Sequence, residues 1–166
     1  MASGCKSTAG PRMSERNASI EIRELYKIFG ATPERFVDAV RKGMSKTELG
    51  KEHGRILGLN NIKISMPAGK IQVIMGLSGS GKSTLIRHIN RLIEPTSGTI
   101  TFDGRNVLEM SELELREFRR NNTAMVFQKF ALLPHRTVID NVTFGLEVRG
   151  VDAGKARETG LRWIER

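Results

Sequence analysis

Nine consecutive residues carry the most chemistry in this chain. Gly76-Leu77-Ser78-Gly79-Ser80-Gly81-Lys82-Ser83 follows the pattern G-x-x-x-x-G-K-[ST], with Thr84 directly after it. A polyphosphate tail crowds several negative charges onto neighbouring oxygens, so a cradle for it needs many backbone N–H groups converging on one point. Glycine allows the main chain to bend that tightly. A helix opening near Gly81 adds its positive dipole end, Lys82 can reach the outer phosphates as a point charge, and the Ser83 hydroxyl can ligate Mg²⁺. At average residue frequencies the bare pattern arises by chance in about 1% of chains of this length. Its setting, between an apolar run and an amphipathic stretch, is the one the mechanism demands.

The elements that must position this loop are read from periodicity. Ile20 and Ile22 alternate with Glu21 and Arg23 in a run to Phe29, which predicts an edge-like strand closed by Gly30. Residues 31–56 change to a helical period: Thr32 can cap, Pro33 suits a first helical position, and Phe36, Val37 and Val40 share a face. Ser45 and Glu48 have capping-box spacing ahead of Leu49, and Gly54 ends that segment. A helical hairpin inserted between two strands is expected. The second strand places Leu59, Ile62, Ile64 and Met66 at alternate positions, and Pro67-Ala68-Gly69 turns into the apolar run 71–75. That run predicts a strand buried on both faces of a parallel sheet.

After the loop, Leu85, Ile86, Ile89, Leu92 and Ile93 form a helical stripe that should stop before Pro95, with His88 on the polar side. Ile100 and Phe102 alternate into a turn at Asp103-Gly104. Ser111 and Glu114 form a second capping box, opening a basic helix through Arg120; residues 124–127 are another buried-strand candidate. The Thr137 to Asp140 spacing can cap a short helix. A last helix from about Asp152 puts Ala153, Ala156, Gly160, Trp163 and Ile164 on one face.

Composition sets the outer bounds. The 166 residues suit one domain or part of one, with 39% hydrophobic and 27% charged residues. The net charge of +9 admits nucleotides, nucleic acid or an acidic membrane surface as partners. Cys5 stands alone in a small, polar leader over residues 1–18, expected to be disordered, where Met13 offers another start; there is no internal disulfide to form. No apolar run is long enough for a membrane helix. His53, His88 and His135 lack ligand spacing. Arg116, Arg119 and Arg120 alternate with Glu112, Glu114 and Glu117 at helical spacing, which predicts a solvated face and no nucleic-acid partner.

With these motifs in place, a family resemblance can be stated. Residues 74–92, IMGLSGSGKSTLIRHINRL, resemble the Walker A region of ABC transporter ATPases. Leu25-Tyr26-Lys27-Ile28-Phe29-Gly30 resembles the family's A-loop strand, and residues 125–135, MVFQKFALLPH, its Q-loop. The insertion at 31–56, with NRLIEPTSG at 90–98 and FALLPHRTVIDNV at 130–142, is most similar to the subunits that power glycine betaine and proline uptake. The resemblance implies an α/β P-loop NTPase fold, with an antiparallel β part and the start of a parallel-sheet core. Residues 19–166 would be part of a nucleotide-binding domain, ending where the family's helical subdomain begins.

Carried over residue by residue, the resemblance makes ATP and Mg²⁺ the cofactors. Phe29 would stack on adenine. Gly76, Leu77, Ser78, Gly79, Ser80, Gly81, Lys82, Ser83 and Thr84 would hold the phosphates. Lys82 and Gln128 would serve hydrolysis, and Ser83 and Gln128 would touch the metal. A membrane permease subunit, a second ATPase subunit in a homodimer and, indirectly, a substrate-binding protein would be its partners, on the cytoplasmic face of the membrane. The family also uses an L-S-G-G-Q-like signature, a strand ending in Asp-Glu and a switch histidine, and none occurs in these 166 residues. Phosphoryl transfer to water depends on positioning, so the expectation for these residues alone is weak ATP binding without useful turnover. A non-hydrolysing ATP-binding module and another P-loop enzyme, such as a small kinase, are the alternatives.

Overall fold

The computed structural model describes residues 19–127 and 131–166, and the chain divides into two units after Glu109. The expectations placed on residues 1–18 and on Gln128 lie outside the described residues.

The first unit is built on a four-stranded antiparallel sheet in the order β2-β1-β3-β4, formed by β1 (Ile20–Phe29), β2 (Ile56–Met66), β3 (Ser97–Phe102) and β4 (Arg105–Asn106). β1 is therefore interior, not edge-like. Its apolar/polar alternation marks a sheet with one covered face, which such a strand shows even when paired on both sides. Register shifts interrupt β1 between Ile22 and Leu25, where Glu24 takes a left-handed φ of 48°. The bulge rephases the strand, so Leu25 and Tyr26 are both buried although adjacent.

Between β1 and β2 the expected insertion is present. A 3-10 turn over Pro33–Phe36 leads into α1 (Val37–Arg41), followed by α2 (Lys46–His53). Thr32 does not cap: it sits at φ 48° with no side-chain bond, and Pro33 opens the 3-10 turn instead. Ser45 does cap α2, accepting from the Glu48 N–H at 3.1 Å while the Glu48 carboxylate accepts from the Ser45 N–H at 2.7 Å. Helices of five and eight residues are too short to persist by propensity. Burial of Val37, Val40 and Leu49 against Tyr26, Ile28 and Leu57 holds them, at roughly 1.5–3 kcal/mol for each large side chain.

The two segments read as strands buried on both faces do not form strands. Ile71 is 94% exposed and Met75 86%, while Val126 is 98% exposed. Such a strand requires hydrogen-bonded neighbours on its edges and covering layers on both faces. Among the described residues, every strand is already committed to the antiparallel sheet.

α3 (Lys82–Ile89) begins where expected but stops four residues before the predicted stripe ends. Arg91 turns left-handed at φ 51°, the Leu92 N–H bonds to the Arg87 carbonyl at 2.8 Å, and the Arg91 N–H bonds to the His88 carbonyl at 2.9 Å. That bond pattern is the Schellman stop, here with arginine in the place glycine normally takes. His88 is not on a polar side: it is fully buried beside Leu85. A neutral imidazole tolerates burial when one N–H is satisfied, and the His88 Nδ1 lies 2.6 Å from the Thr84 carbonyl.

The second unit contains α4 (Glu112–Asn122), α5 (Val138–Val148) and α6 (Ala153–Ile164). The expected capping boxes at Ser111/Glu114 and Thr137/Asp140 are both formed. Gly160 lets α6 approach α5 closely: a Cβ there would meet Thr143 Cγ2 at 2.7 Å and Ile139 Cδ1 at 2.8 Å. The predicted apolar face of α6 is buried at Ala156 and Gly160, whereas Trp163 and Ile164 remain exposed.

Candidate functional site

The loop at 76–81 and the start of α3 meet the requirements of a phosphate cradle. Gly79 and Gly81 adopt φ of 75° and 93°, a region costly for any residue with a Cβ. A Cβ at Gly76 would stand 2.8 Å from Ser80 Oγ, so the two ends of the loop lie close together. The Ser80 N–H bonds to the Leu77 carbonyl at 3.2 Å and sets the bend. The Lys82 ammonium sits inside it, donating to the Gly76 and Leu77 carbonyls at 2.7 Å each and to Ser80 Oγ at 3.3 Å. Those acceptors are neutral. A phosphate oxygen carries charge and makes the stronger bond with an ammonium.

α3 starts at Gly81 with no side-chain cap. The first N–H groups of a helix have no partner within it, and their dipoles point outward. In α2, α4, α5 and α6 the Ser45, Ser111, Thr137 and Asp152 side chains answer that need. At α3, as at the five-residue α1, no side chain does so. Ser83, the second residue of the helix, is exposed in its first turn. Among the described residues no three His, Cys, Asp or Glu side chains gather as a metal cluster. A cation held here would depend on hydroxyl and phosphate oxygens, the hard ligand set that suits Mg²⁺.

The loop is braced against β2. A Cβ on Gly81 would meet the Gly58 carbonyl oxygen at 2.6 Å and Leu59 Cδ2 at 3.1 Å. Beside this contact lies a cavity of about 440 Å³, bordered by Gly79 and Ser80 of the loop, Ser45 and Lys46 at the start of α2, and Gly58 and Asn60 of β2. The hairpin insertion thus borders the phosphate loop, which periodicity alone did not foretell. Phe29 stands at the end of β1, 37% exposed, with its ring against Gly58 and the Lys27 ammonium 5.2 Å from the ring centroid. Phe29 and the phosphate loop therefore flank one residue of β2.

In the second unit, the segment ahead of α5 is tied to the helix by one side chain. Asn141 on α5 accepts from the Leu133 N–H at 2.7 Å, and its amide reaches the carbonyls of Leu133, Arg136 and Thr137 at 3.2, 3.2 and 2.9 Å. One side chain pins the approach to the helix. Arg120 of the basic helix pairs with Glu117 at 3.1 Å, and its carbonyl accepts from Arg149 Nε at 3.0 Å.

Sequence reasoning overlooked Gly58, Asn141 and the burial of His88. For Gly58 a signal existed, because an isolated glycine within a strand pattern marks a close approach. Asn141 offered none, since its partners are backbone groups.

A glycine-lined loop, an ammonium within it and an uncapped helix start define a nucleotide-binding protein of the phosphate-loop class. The family pattern described as "ABC transporter" matches residues 59–165, and the chain belongs to that family. It is 49% identical over 142 residues to the glycine betaine/proline betaine transport system ATP-binding protein ProV of Escherichia coli (strain K12), covering 86% of this chain and 36% of ProV. It is 46% identical over 153 residues to the glycine betaine transport ATP-binding protein OpuAA of Bacillus subtilis (strain 168), covering 92% of this chain and 37% of OpuAA. Among solved structures, the ATP-binding cassette MJ0796 in a dimeric post-hydrolysis state, bound to ADP and Pi, superimposes with a TM-score of 0.68. That match has 26% sequence identity and covers 86% of this chain and 54% of the cassette. The chain spans about a third of the length of these curated relatives. Among the described residues no helix is long and apolar enough to cross a membrane.

Proposed function

We propose that this chain is the nucleotide-binding front part of the ATPase subunit of an importer for glycine betaine or a related quaternary amine. The observation that carries it is the start of α3, where a loop bent at Gly79 and Gly81 and holding Lys82 runs into a helix that no side chain caps. Backbone amides of residues 76–84 cradle the β- and γ-phosphates of ATP, Lys82 neutralises their charge, Ser83 ligates Mg²⁺, and Phe29 stacks on the adenine. Gln128 meets the metal and the attacking water.

The substrate class is supported by the identity to ProV and OpuAA, which extends through the helical insertion. A homodimeric arrangement of the full subunit is supported by the dimeric state of the MJ0796 cassette. A permease subunit and, beyond it, a substrate-binding protein complete the assembly at the cytoplasmic face of the membrane. Residues 1–166 supply nucleotide binding, while the signature, the Asp-Glu strand and the switch histidine, absent from this sequence, are needed for turnover. These residues alone are therefore expected to bind ATP without hydrolysing it usefully.

Replacing the matching segment of Escherichia coli ProV with residues 19–166 tests the assignment. The graft should sustain glycine betaine uptake at high osmolarity, and the same graft carrying Lys82→Ala should not. Uptake by both grafts alike would refute the role given to the loop.

A further inference from the structure

Gly58 is the third residue of β2, inside the strand, where a residue with a side chain would strengthen it. Its backbone is not in the left-handed region, so conformational freedom does not explain a glycine there. Its surroundings do. A Cβ at this position would stand 2.6 Å from Phe29 Cε2 and 3.2 Å from Phe29 Cδ2, closer than real Cβ atoms approach other heavy atoms. The aromatic ring occupies the space that any side chain at residue 58 would fill.

The ring is held from a second direction. The Lys27 ammonium lies over it at 5.2 Å from the centroid and is itself fixed by donating to the Glu94 carbonyl at 2.7 Å. One edge of Phe29 thus rests on Gly58 and one face lies under Lys27. The backbone of Gly58 meanwhile abuts the end of the phosphate loop, its carbonyl oxygen 2.6 Å from where a Cβ on Gly81 would stand.

We propose that Gly58 is a positioning residue for the nucleotide base: by lacking a side chain it lets Phe29 lie against the same residue of β2 that the phosphate loop abuts, where the ring can meet the base of a nucleotide whose phosphates the loop holds. This rests on the adenine-stacking role of Phe29. An aromatic ring can stack on any base, so the ring supplies affinity and Gly58 supplies its placement. In a Gly58→Ala chain the ring must swing away by rotation of its side chain. The strand keeps its backbone, and the base loses its platform.

Equilibrium titration of the chain with Mg-ATP and, separately, with Mg-tripolyphosphate, which has no base, tests this. Gly58→Ala should weaken ATP by about tenfold, the scale of one lost stacking contact, and leave tripolyphosphate unchanged. Phe29→Ala should produce the same split, and adding Gly58→Ala to it should cost nothing more, because both changes remove one interaction. If Phe29→Ala weakens ATP and Gly58→Ala does not, Gly58 has no positioning role while the stacking assignment stands. If neither variant weakens ATP, the stacking assignment itself falls. An equal loss of ATP and tripolyphosphate in Gly58→Ala would place its effect on the phosphate loop and overturn the proposal. Should Gly58→Ala fail to fold, the Phe29→Ala/Gly58→Ala pair decides: recovery identifies the ring as the obstacle, and continued failure identifies the backbone and rejects the proposal.

Discussion

α3 and α5 face the same problem at their N-termini and solve it in opposite ways. α5 closes its first turn with its own side chains: Thr137 Oγ1 accepts from the Asp140 N–H at 3.3 Å, and Asp140 accepts from the Thr137 hydroxyl at 2.6 Å and from the Thr137 N–H at 3.3 Å. Asn141 adds bonds to three carbonyls of the incoming strand of chain. α3 enters through glycines and carries no side-chain cap. Completing a helix start internally yields stability, whereas leaving it incomplete yields a site for an anion. Polar side chains at α5 should therefore matter for folding and not for nucleotide, and those at α3 the reverse.

The largest effect on nucleotide binding should come from Lys82→Ala. Charge-assisted hydrogen bonds contribute about 1.5–3 kcal/mol, so the affinity of the chain for Mg-ATP should fall by about a hundredfold in a calorimetric titration. The melting temperature should change little, because the bonds lost in the free chain run to neutral, exposed loop carbonyls. A variant that melts far earlier and binds normally would erase the distinction between the two helix starts.

At α5 the order reverses. Asn141→Ala removes one accepted bond and the two N–H donors shared among three carbonyls, and should cost about 3 kcal/mol of stability at roughly 1 kcal/mol per net bond. Thr137→Ala removes the cap alone and should cost about 1 kcal/mol. Denaturant titration of both variants, paired with ATP binding, checks this. A tenfold loss of ATP affinity in either would mean that α5 belongs to the site as much as α3 does.

The two helix starts were not equally legible in the sequence, and neither were the elements around them. Ser45/Glu48, Ser111/Glu114 and Thr137/Asp140 form their boxes because capping depends on side chains three residues apart and little else. The bends of the loop at 76–81 were legible for the same reason, being set by its own glycines. What failed was non-local. Residues 71–75 have a buried strand's composition, but a strand exists only with partners, and no described strand pairs with them. His88 read as polar because its residue type was weighed without the Thr84 carbonyl that makes burial tolerable. The contact of Phe29 with Gly58 joins neighbouring strands, and only their register reveals it.

The smallest effect separates the two helices by pH. At α5 the hydrogen bond from the Thr137 hydroxyl holds the Asp140 carboxyl below its ordinary value of 3.8, so this cap stays charged and intact throughout the range in which a histidine titrates. At α3 the sensitive group is His88, whose burial pushes it below its ordinary value of 6.5, aided by the charge of Lys27 and opposed by its bond to Thr84 and by Glu94. As the pH drops through 6.5, the unfolded chain takes a proton on His88 that the folded chain refuses. The unfolded state then binds more protons, so stability falls with falling pH. The loss should reach no more than about 0.8 kcal/mol between pH 8 and pH 6, the free energy of protonating a free imidazole. His88→Asn, which keeps a donor near the Thr84 carbonyl but cannot titrate, should be less stable at every pH yet lose this slope. If chemical denaturation gives parent and variant the same slope between pH 8 and pH 6, His88 is not the group that makes the phosphate-loop helix more acid-sensitive than the self-capped one.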